Sequence, residues 1–166
     1  MFLLVFVAIA IGFVLIALLV FAKPSQPAIE RDGKEGKTTG GASRLAGLPM
    51  DDFERLCLRL LDEMGLVVSS RVRSGPRELE IAAVNPQPIT GGDFIVHCSH
   101  PEDGFVGSSR VNALRDQVKG EQAAKGIFIT TGFFAEETSK HTEGPPVELI
   151  NVKRLTELIQ EYRLVA

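Results

Sequence analysis

The stretch "DFIVHCSHPEDG", residues 93–104, decides how this sequence is interpreted. It begins with alternating apolar and polar residues, which is typical of a β-strand, and it ends in a loop that Pro101 and Gly104 indicate. Two histidines, a cysteine and a serine occupy residues 97–100. Their chemistry permits three interpretations: a metal site, a nucleophile with its base, or an altered form of another active site.

A helix and two strands are predicted before this stretch. Residues 51–64 place their apolar side chains at the spacing of one face of an amphipathic helix. Asp51 and Glu54 have the spacing of a capping box at its start. Strand-like runs follow at 66–72 and 78–84, separated by turn residues.

The elements after this stretch alternate between helix and strand. Residues 108–122 are predicted to form a helix with a serine cap, and residues 125–132 a strand buried on both faces. A short helix at 133–141, a short strand at 147–150 and a closing helix at 151–162, capped by Asn151, follow. The order α-β-β-β-α-β-α-β-α predicts an α/β fold in which helices flank a mixed sheet.

The first 22 residues contain no charged side chain. As a helix they would be about 33 Å long, enough to cross a hydrocarbon core of about 30 Å. A cleaved signal peptide is the alternative, but no basic region precedes the apolar run, which exceeds the usual length of about 7 to 15 residues. We therefore expect a transmembrane helix at 1–22.

Basic residues lie just after this helix, so the positive-inside rule places the rest of the chain in the cytoplasm, behind an inner-membrane anchor. Residues 23–47 are rich in Gly, Pro, Ser, Thr and charge, which predicts a flexible linker. Residues 48–166 are enough for one domain. The predicted organisation is anchor, linker and a single cytoplasmic domain.

The predicted domain is acidic. It has 13 Lys and Arg against 18 Asp and Glu, a formal charge of −5. Because non-specific DNA binding depends mainly on neutralising phosphates, this balance argues against a strong general DNA binder and leaves room for a local basic patch. Cys57 and Cys98 make no disulfide framework and are expected to be buried free thiols.

The cysteine and histidines at 97–100 fit a zinc or nucleophile site poorly. Structural zinc needs four nitrogen or sulfur ligands, usually from two separated pairs, and the rest of the domain adds only Cys57 and His141. Successive strand residues face opposite sides, so Cys98 points away from His97, and that orientation also counts against a Cys98 nucleophile activated by His97. We expect Cys98 in the core and His100 in a surface loop.

Several segments together resemble one protein family. They are the helix DDFERLCLRLLDEMGL, a strand that carries carboxylates, a strand that ends in x-His-x-Ser, the helix VNALRDQVKGEQAAKG, and the segments IFITTGFFAEET and VELINVKRLTELI. Over about residues 48–162 the sequence resembles the Mrr-like domain of type IV restriction endonucleases. The resemblance implies the restriction-endonuclease-like PD-(D/E)xK fold.

The resemblance also implies an active site. In that family the second strand supplies an aspartate, the third supplies Glu or Gln and then Lys two residues later, and the first helix often adds a glutamate. These positions fall on Glu80, on His97 with Ser99, and on Glu54. Carboxylates there hold Mg²⁺ or Mn²⁺, which makes Glu80 and His97 the implied metal ligands if activity survives. Glu78 shares a strand face with Glu80 and is either a further ligand or an exposed carboxylate.

Two of the family's working side chains are replaced in this sequence. A histidine can still bind a metal, but Ser99 cannot supply the positive charge of the lysine. The following helix offers Arg110, Arg115 and Lys119, although an arginine is a poor base because it stays protonated. We therefore predict a membrane-anchored, DNA-binding protein with lost or weakened nuclease activity.

Other functions stay open from the sequence. One is an active divalent-metal-dependent DNA endonuclease with Glu54, Glu80 and His97 around the metal. Another is a membrane-tethered scaffold for a protein partner, which the acidic charge permits. No small-molecule cofactor is expected. The "TTG" at 130–132 either contacts a phosphate or makes a tight turn that needs Gly132.

Overall fold

The computed structural model of the protein describes residues 39–136, Thr138 and 144–164. The helices in these residues are α1 (Thr39–Ala46), α2 (Met50–Glu63), α3 (Ser108–Gly120) and α4 (Val152–Glu161). The strands are β1 (Val67–Gly75), β2 (Glu78–Asn85), β3 (Gly92–Ser99), β4 (Phe105–Val106), β5 (Lys125–Thr130), β6 (Phe133–Phe134) and β7 (Val147–Ile150).

A five-stranded sheet has the order β1-β2-β3-β5-β7. β2 is antiparallel to both β1 and β3, whereas β5 is parallel to β3 and β7 is parallel to β5. α3 forms the crossover between the parallel strands β3 and β5, as parallel pairing requires. The prediction of an α/β fold with a mixed sheet and flanking helices is confirmed.

One face of the sheet packs against α2 and α4. Phe53, Leu60 and Leu61 of α2 are fully buried there, against side chains such as Ile81 and Val96 from alternate positions of β2 and β3. Burying a side chain of this size stabilises a fold by about 1.5–3 kcal/mol relative to leaving it exposed. This face holds the larger of the two hydrophobic clusters.

The other face packs against α3. Val111, Leu114 and Val118 of α3 are buried together with Ile95 and Phe128 of the sheet. α3 contacts β3 and β5, and so leaves the β1 and β2 side of this face partly open. The sheet residues between α3 and that open side are the ones that line the site described below.

The prediction of a linker at 23–47 was wrong for its last residues, because Thr39–Ala46 form helix α1. Leu45 of α1 is 2% exposed and joins the cluster on the α2 face. A Cβ on Gly41 would lie 2.7 Å from Thr156 Cγ2, so the small residues of α1 allow it to lie close to α4. The folded domain therefore begins before residue 48.

Two of the three predicted helix caps were wrong. The residue before α2 is Pro49, and Asp51 with Glu54 makes no capping box. α3 begins after Gly107 without a side-chain cap. The cap of α4 is confirmed, because the Asn151 side chain accepts a hydrogen bond of 2.9 Å from the Arg154 backbone N–H.

The predicted helix at 133–141 begins instead as strand β6, which pairs in parallel with β4. Residues 137 and 139–143 lie outside the described part of the chain. The predicted transmembrane helix at 1–22 also lies outside it. None of the helices that the structure describes is both long enough and apolar enough to cross a membrane.

Candidate functional site

A cleft of about 200 Å³ lies between α3 and the ends of β2 and β3. It is lined by Ser74, Glu78, Leu79, Glu80, His97, Cys98, Ser99, Arg110, Ala113 and Phe128. Three of the four predicted active-site residues, Glu80, His97 and Ser99, are in this set. Of the polar side chains that the strands contribute, β1 provides Ser74, and β2 and β3 provide Glu78, Glu80, His97 and Ser99.

The strand register explains why these four side chains share one face. Glu80 lies directly opposite His97, and Glu78 lies directly opposite Ser99, in the antiparallel pairing of β2 with β3. Residues two apart on a strand point to the same side, so the two pairs stand side by side. Glu80, which the resemblance implies for the site, therefore shares a face with His97 and Ser99.

Arg110 of α3 connects both strands. Its Nη1 donates a hydrogen bond of 2.9 Å to Ser99 Oγ, and its Nη2 makes an ion pair with Glu78 Oε1. Of the cations in the following helix that the sequence offered, Arg110 is the one that lines the cleft. A permanently charged guanidinium therefore lies against Ser99.

The hydrogen bonds of Gln117 on α3 and of Glu121, which follows α3, define the tautomer of His97. Gln117 Nε2 donates a hydrogen bond of 2.9 Å to Glu121 Oε1, and a carboxylate can only accept, so the Gln117 Oε1 atom is turned towards His97. His97 Nε2 lies 2.8 Å from that oxygen and must carry the proton that it donates. The lone pair of a neutral His97 is therefore on Nδ1.

Glu54 lies elsewhere. Its carboxylate pairs with Arg73, at 2.6 Å from Nη2 to Oε2, and with Arg71, at 3.2 Å from Nη1 to Oε1. Arg71 lies opposite Ile81, whose side chain is buried on the α2 face, so these contacts lie on that face. The Arg73 guanidinium also hydrogen-bonds Asp51 and lowers the pKa of that carboxyl. Glu54 is not among the residues that line the cleft.

The protein supplies only part of a Mg²⁺ or Mn²⁺ site in the cleft. These hard ions prefer oxygen ligands. Of the two carboxylates in the cleft, Glu78 is neutralised by Arg110, while Glu80 makes no ion pair with any residue that the structure describes. Within residues 39–136, 138 and 144–164, no three His, Cys, Asp or Glu side chains are grouped as metal ligands. Of the predicted metal ligands, Glu80 and His97 are the two that lie next to each other in the cleft.

The cysteines lie in the core, as predicted. Cys57 of α2 and Cys98 of β3 are free thiols that are 0% and 1% exposed. Burial raises the pKa of the Cys57 thiol well above its usual range, and a hydrogen bond with Cys98 adds to this. Because thiolates are the reactive form, Cys57 does not have the environment of a nucleophile, and Cys98 is buried beside it in the core.

His100 is not the surface residue that we expected. It is 4% exposed, its Nδ1 lies 2.6 Å from Thr131 Oγ1, and its ring centroid is 5.7 Å from that of Phe53. Burial, together with the charge of Arg77, lowers the pKa of His100. Sequence reasoning missed this contact because Pro101 indicated a loop, and loops usually lie at the surface.

The "TTG" segment makes a close backbone contact. The Thr130 hydroxyl accepts a hydrogen bond of 3.0 Å from the Gly132 N–H, and Thr131 is engaged with His100. A Cβ on Gly132 would lie 2.3 Å from the Gly104 carbonyl oxygen. These contacts agree with the tight turn, and they leave both threonines buried.

The mixed sheet with helices on both faces is consistent with the class of restriction-endonuclease-like α/β domains. Residues 45–159 match the family model Mrr_cat, which is described as restriction endonuclease. The match spans more than half of the chain, and the chain belongs to this family. The resemblance found in the sequence is confirmed at that level.

A solved structure supports the fold. The DNA modification-dependent restriction endonuclease AspBHI is similar to this chain, with a TM-score of 0.52 and 17% sequence identity. The match covers 76% of this chain and 36% of AspBHI, so the chain corresponds to about a third of that protein. No curated protein matches this chain in sequence.

Proposed function

We propose that this chain is a membrane-tethered restriction-endonuclease-like protein that binds DNA and has lost or weakened hydrolysis. The composition of the cleft carries the proposal. Ser99 stands at the family's lysine position, and the cation beside it is an arginine, which stays protonated and is a poor base. Glu54, the first-helix glutamate that the resemblance implies for the site, is held by Arg71 and Arg73.

DNA is the partner that the family and the similarity to AspBHI favour. The domain's acidic charge means that binding depends on a local cluster of cations rather than on the whole surface. Arg110 of α3 lies in the cleft, and the same helix carries Arg115 and the exposed Lys119 further along its length. We place the DNA along this helix and the open face of β1 and β2.

An active divalent-metal-dependent endonuclease is the second candidate. The observation in its favour is the direct pairing of Glu80 with His97, in which the Nδ1 lone pair of His97 is not used by Gln117. In this candidate the two residues would hold the metal with DNA oxygens and water, and Arg110 would replace the lysine. The two candidates differ in whether the bound DNA is cut.

A plasmid assay separates the candidates. The full chain in non-ionic detergent is incubated with modified and unmodified supercoiled plasmid in Mg²⁺ or Mn²⁺, and gels are run before and after SDS treatment. We expect retarded migration before SDS and intact supercoiled plasmid afterwards. Nicked or linear DNA that disappears with Glu80→Ala would instead establish an active nuclease. Absence of both retardation and cleavage would point to a protein partner, as a tethered scaffold requires.

We also propose that residues 1–22 anchor the domain to the inner membrane with the domain in the cytoplasm. The support is the length of the apolar run and the basic residues after it. In fractionated cells we expect the chain to sediment with membranes and to stay there in high salt. A protein of lower mass in the soluble fraction would contradict the anchor and favour a cleaved signal peptide.

A further inference from the structure

We infer that Arg110 is the phosphate-binding residue of the cleft and that Glu78 holds its guanidinium in place until a DNA phosphate takes over. The inference rests on the proposed DNA binding and assigns it to one side chain. It concerns which residue contacts the phosphodiester, and not whether the DNA is cut.

The contacts of Arg110 give it a fixed position in the cleft. Ser99 is 2% exposed, so the serine oxygen that accepts from Nη1 belongs to a buried residue at the end of β3. Glu78 holds the second nitrogen, Nη2, from the opposite strand. Two strands that are paired with each other therefore orient one guanidinium, which lowers the entropy lost when a ligand binds it.

Arg110 also stays accessible. The Arg110 and Glu78 side chains are 39% and 38% exposed, so the ion pair lies at the mouth of the cleft rather than in the core. A guanidinium has five N–H donors, and the contacts with Ser99 and Glu78 use one donor on each of two nitrogens. Donors remain for a phosphate oxygen, which arginine binds in the same planar, bidentate way as a carboxylate.

Glu78 has the opposite effect on affinity. Its carboxylate occupies the place that a phosphate would take on Nη2, and its charge repels the phosphate. Glu80 lies two residues away on the same strand face, and it makes no ion pair with Arg110. The two glutamates thus provide a matched comparison: both are acidic residues of the cleft, but only Glu78 competes for the guanidinium.

The first test measures how binding of a short fluorescent DNA duplex by the full chain in detergent depends on salt, between about 50 and 200 mM NaCl. We expect Arg110→Gln to weaken binding about tenfold and to make the slope of log K against log[salt] shallower by about one. Arg110→Lys should keep the slope, since it keeps the charge. Arg154→Gln is the control, because Arg154 is also half exposed and paired with a carboxylate, but lies on α4.

The second test is a double-mutant cycle. Glu78→Gln should strengthen binding several-fold when Arg110 is present and have little effect in the Arg110→Gln chain. Glu80→Gln should change affinity by the same factor in both backgrounds, because it acts through its charge alone. If Glu78 and Glu80 show equal coupling energies with Arg110, the role of Glu78 as the competitor for the guanidinium is overturned.

The outcomes separate this inference from the proposed function. If the unaltered chain binds no duplex, both the DNA-binding proposal and this assignment fail. If it binds and Arg110→Gln keeps the affinity and the salt slope of the unaltered chain, only the assignment fails. A circular-dichroism melt of Arg110→Gln checks that any loss is not unfolding, and recovery of binding with Arg110→Lys excludes loss of packing as the cause.

Discussion

Replacement of Gly132 with alanine is expected to destabilise the domain by about 3 kcal/mol, the upper part of the usual range for an overpacked site. The added Cβ would lie 2.3 Å from the Gly104 carbonyl oxygen, 2.7 Å from its carbonyl carbon and 2.9 Å from Pro101 Cγ. Two of these atoms belong to the backbone, which cannot rotate away as a side chain can. The Gly104 oxygen also accepts a hydrogen bond from the Phe133 N–H, and this contact would be lost or stretched.

Thermal unfolding of the full chain in detergent, followed by circular dichroism, measures this effect. Gly120→Ala is the matched control, because a Cβ there meets nothing within 4 Å and Gly120 is the last residue of α3. Alanine has the higher helix propensity, so the control should melt at the same or a slightly higher temperature. Equal melting temperatures for the two variants would mean that the loop at 101–104 moves away from Gly132 at little cost.

Introduction of the side chains that the family resemblance implies for the cleft is expected to produce the largest change in activity. We expect a chain with Glu80→Asp, His97→Glu and Ser99→Lys to nick supercoiled plasmid at least about 100-fold faster than the unaltered chain, a factor typical of one charge-stabilising group. The register places positions 80, 97 and 99 on one face of the cleft. The substitutions add an oxygen donor and an ammonium group to that face.

The comparison is made in Mg²⁺, in Mn²⁺ and in a chelator, by measuring the conversion of supercoiled to nicked DNA. Addition of Glu80→Ala to a chain with the other two substitutions is the control and should remove the gain. A folded variant that binds DNA without a gain in cleavage would show that the missing lysine is not what limits hydrolysis. The position of Glu54, away from the cleft, would then be the more important difference.

The positions of the site residues on the strands could be predicted from the sequence. A strand has a period of two, so His97 and Ser99 share one face of β3, and the family resemblance added Glu80 before any register was known. The same rule put Cys98 on the buried face. Since hydrophobic alternation determines which side is buried, it also determines which polar residues share the other side.

The partners of Glu54 and Arg110 could not be predicted in this way. Helical periodicity shows which side of α2 is buried, but it does not show which strand residues contact the polar residues beside that buried side. Glu54 meets Arg71 and Arg73, which are distant in sequence, and so it lies in an ion-pair network away from the cleft. For Arg110, the sequence offered three cations on one helix, and only the packing of α3 on β3 selected one of them.

Helix α1 was missed because its composition is typical of a linker. The segment Thr39–Ala46 contains two glycines, a threonine and a serine, which have low helix propensity. It is stabilised by contacts, since Leu45 is buried and Gly41 lies against Thr156 of α4. Tertiary packing outweighs local preference here.

The change from antiparallel to parallel pairing at β3 has a consequence for how the chain folds. β1, β2 and β3 meet through short connections, so their pairing closes small loops, whereas β5 and β7 join only after longer crossovers. Because loop-closure entropy delays non-local contacts, the hairpins are expected to form first and β5 to dock onto them later. β3 is the strand at which the two stages meet, and it also carries His97 and Ser99. We therefore expect a substitution on this strand to change the rate of folding as well as the chemistry of the cleft.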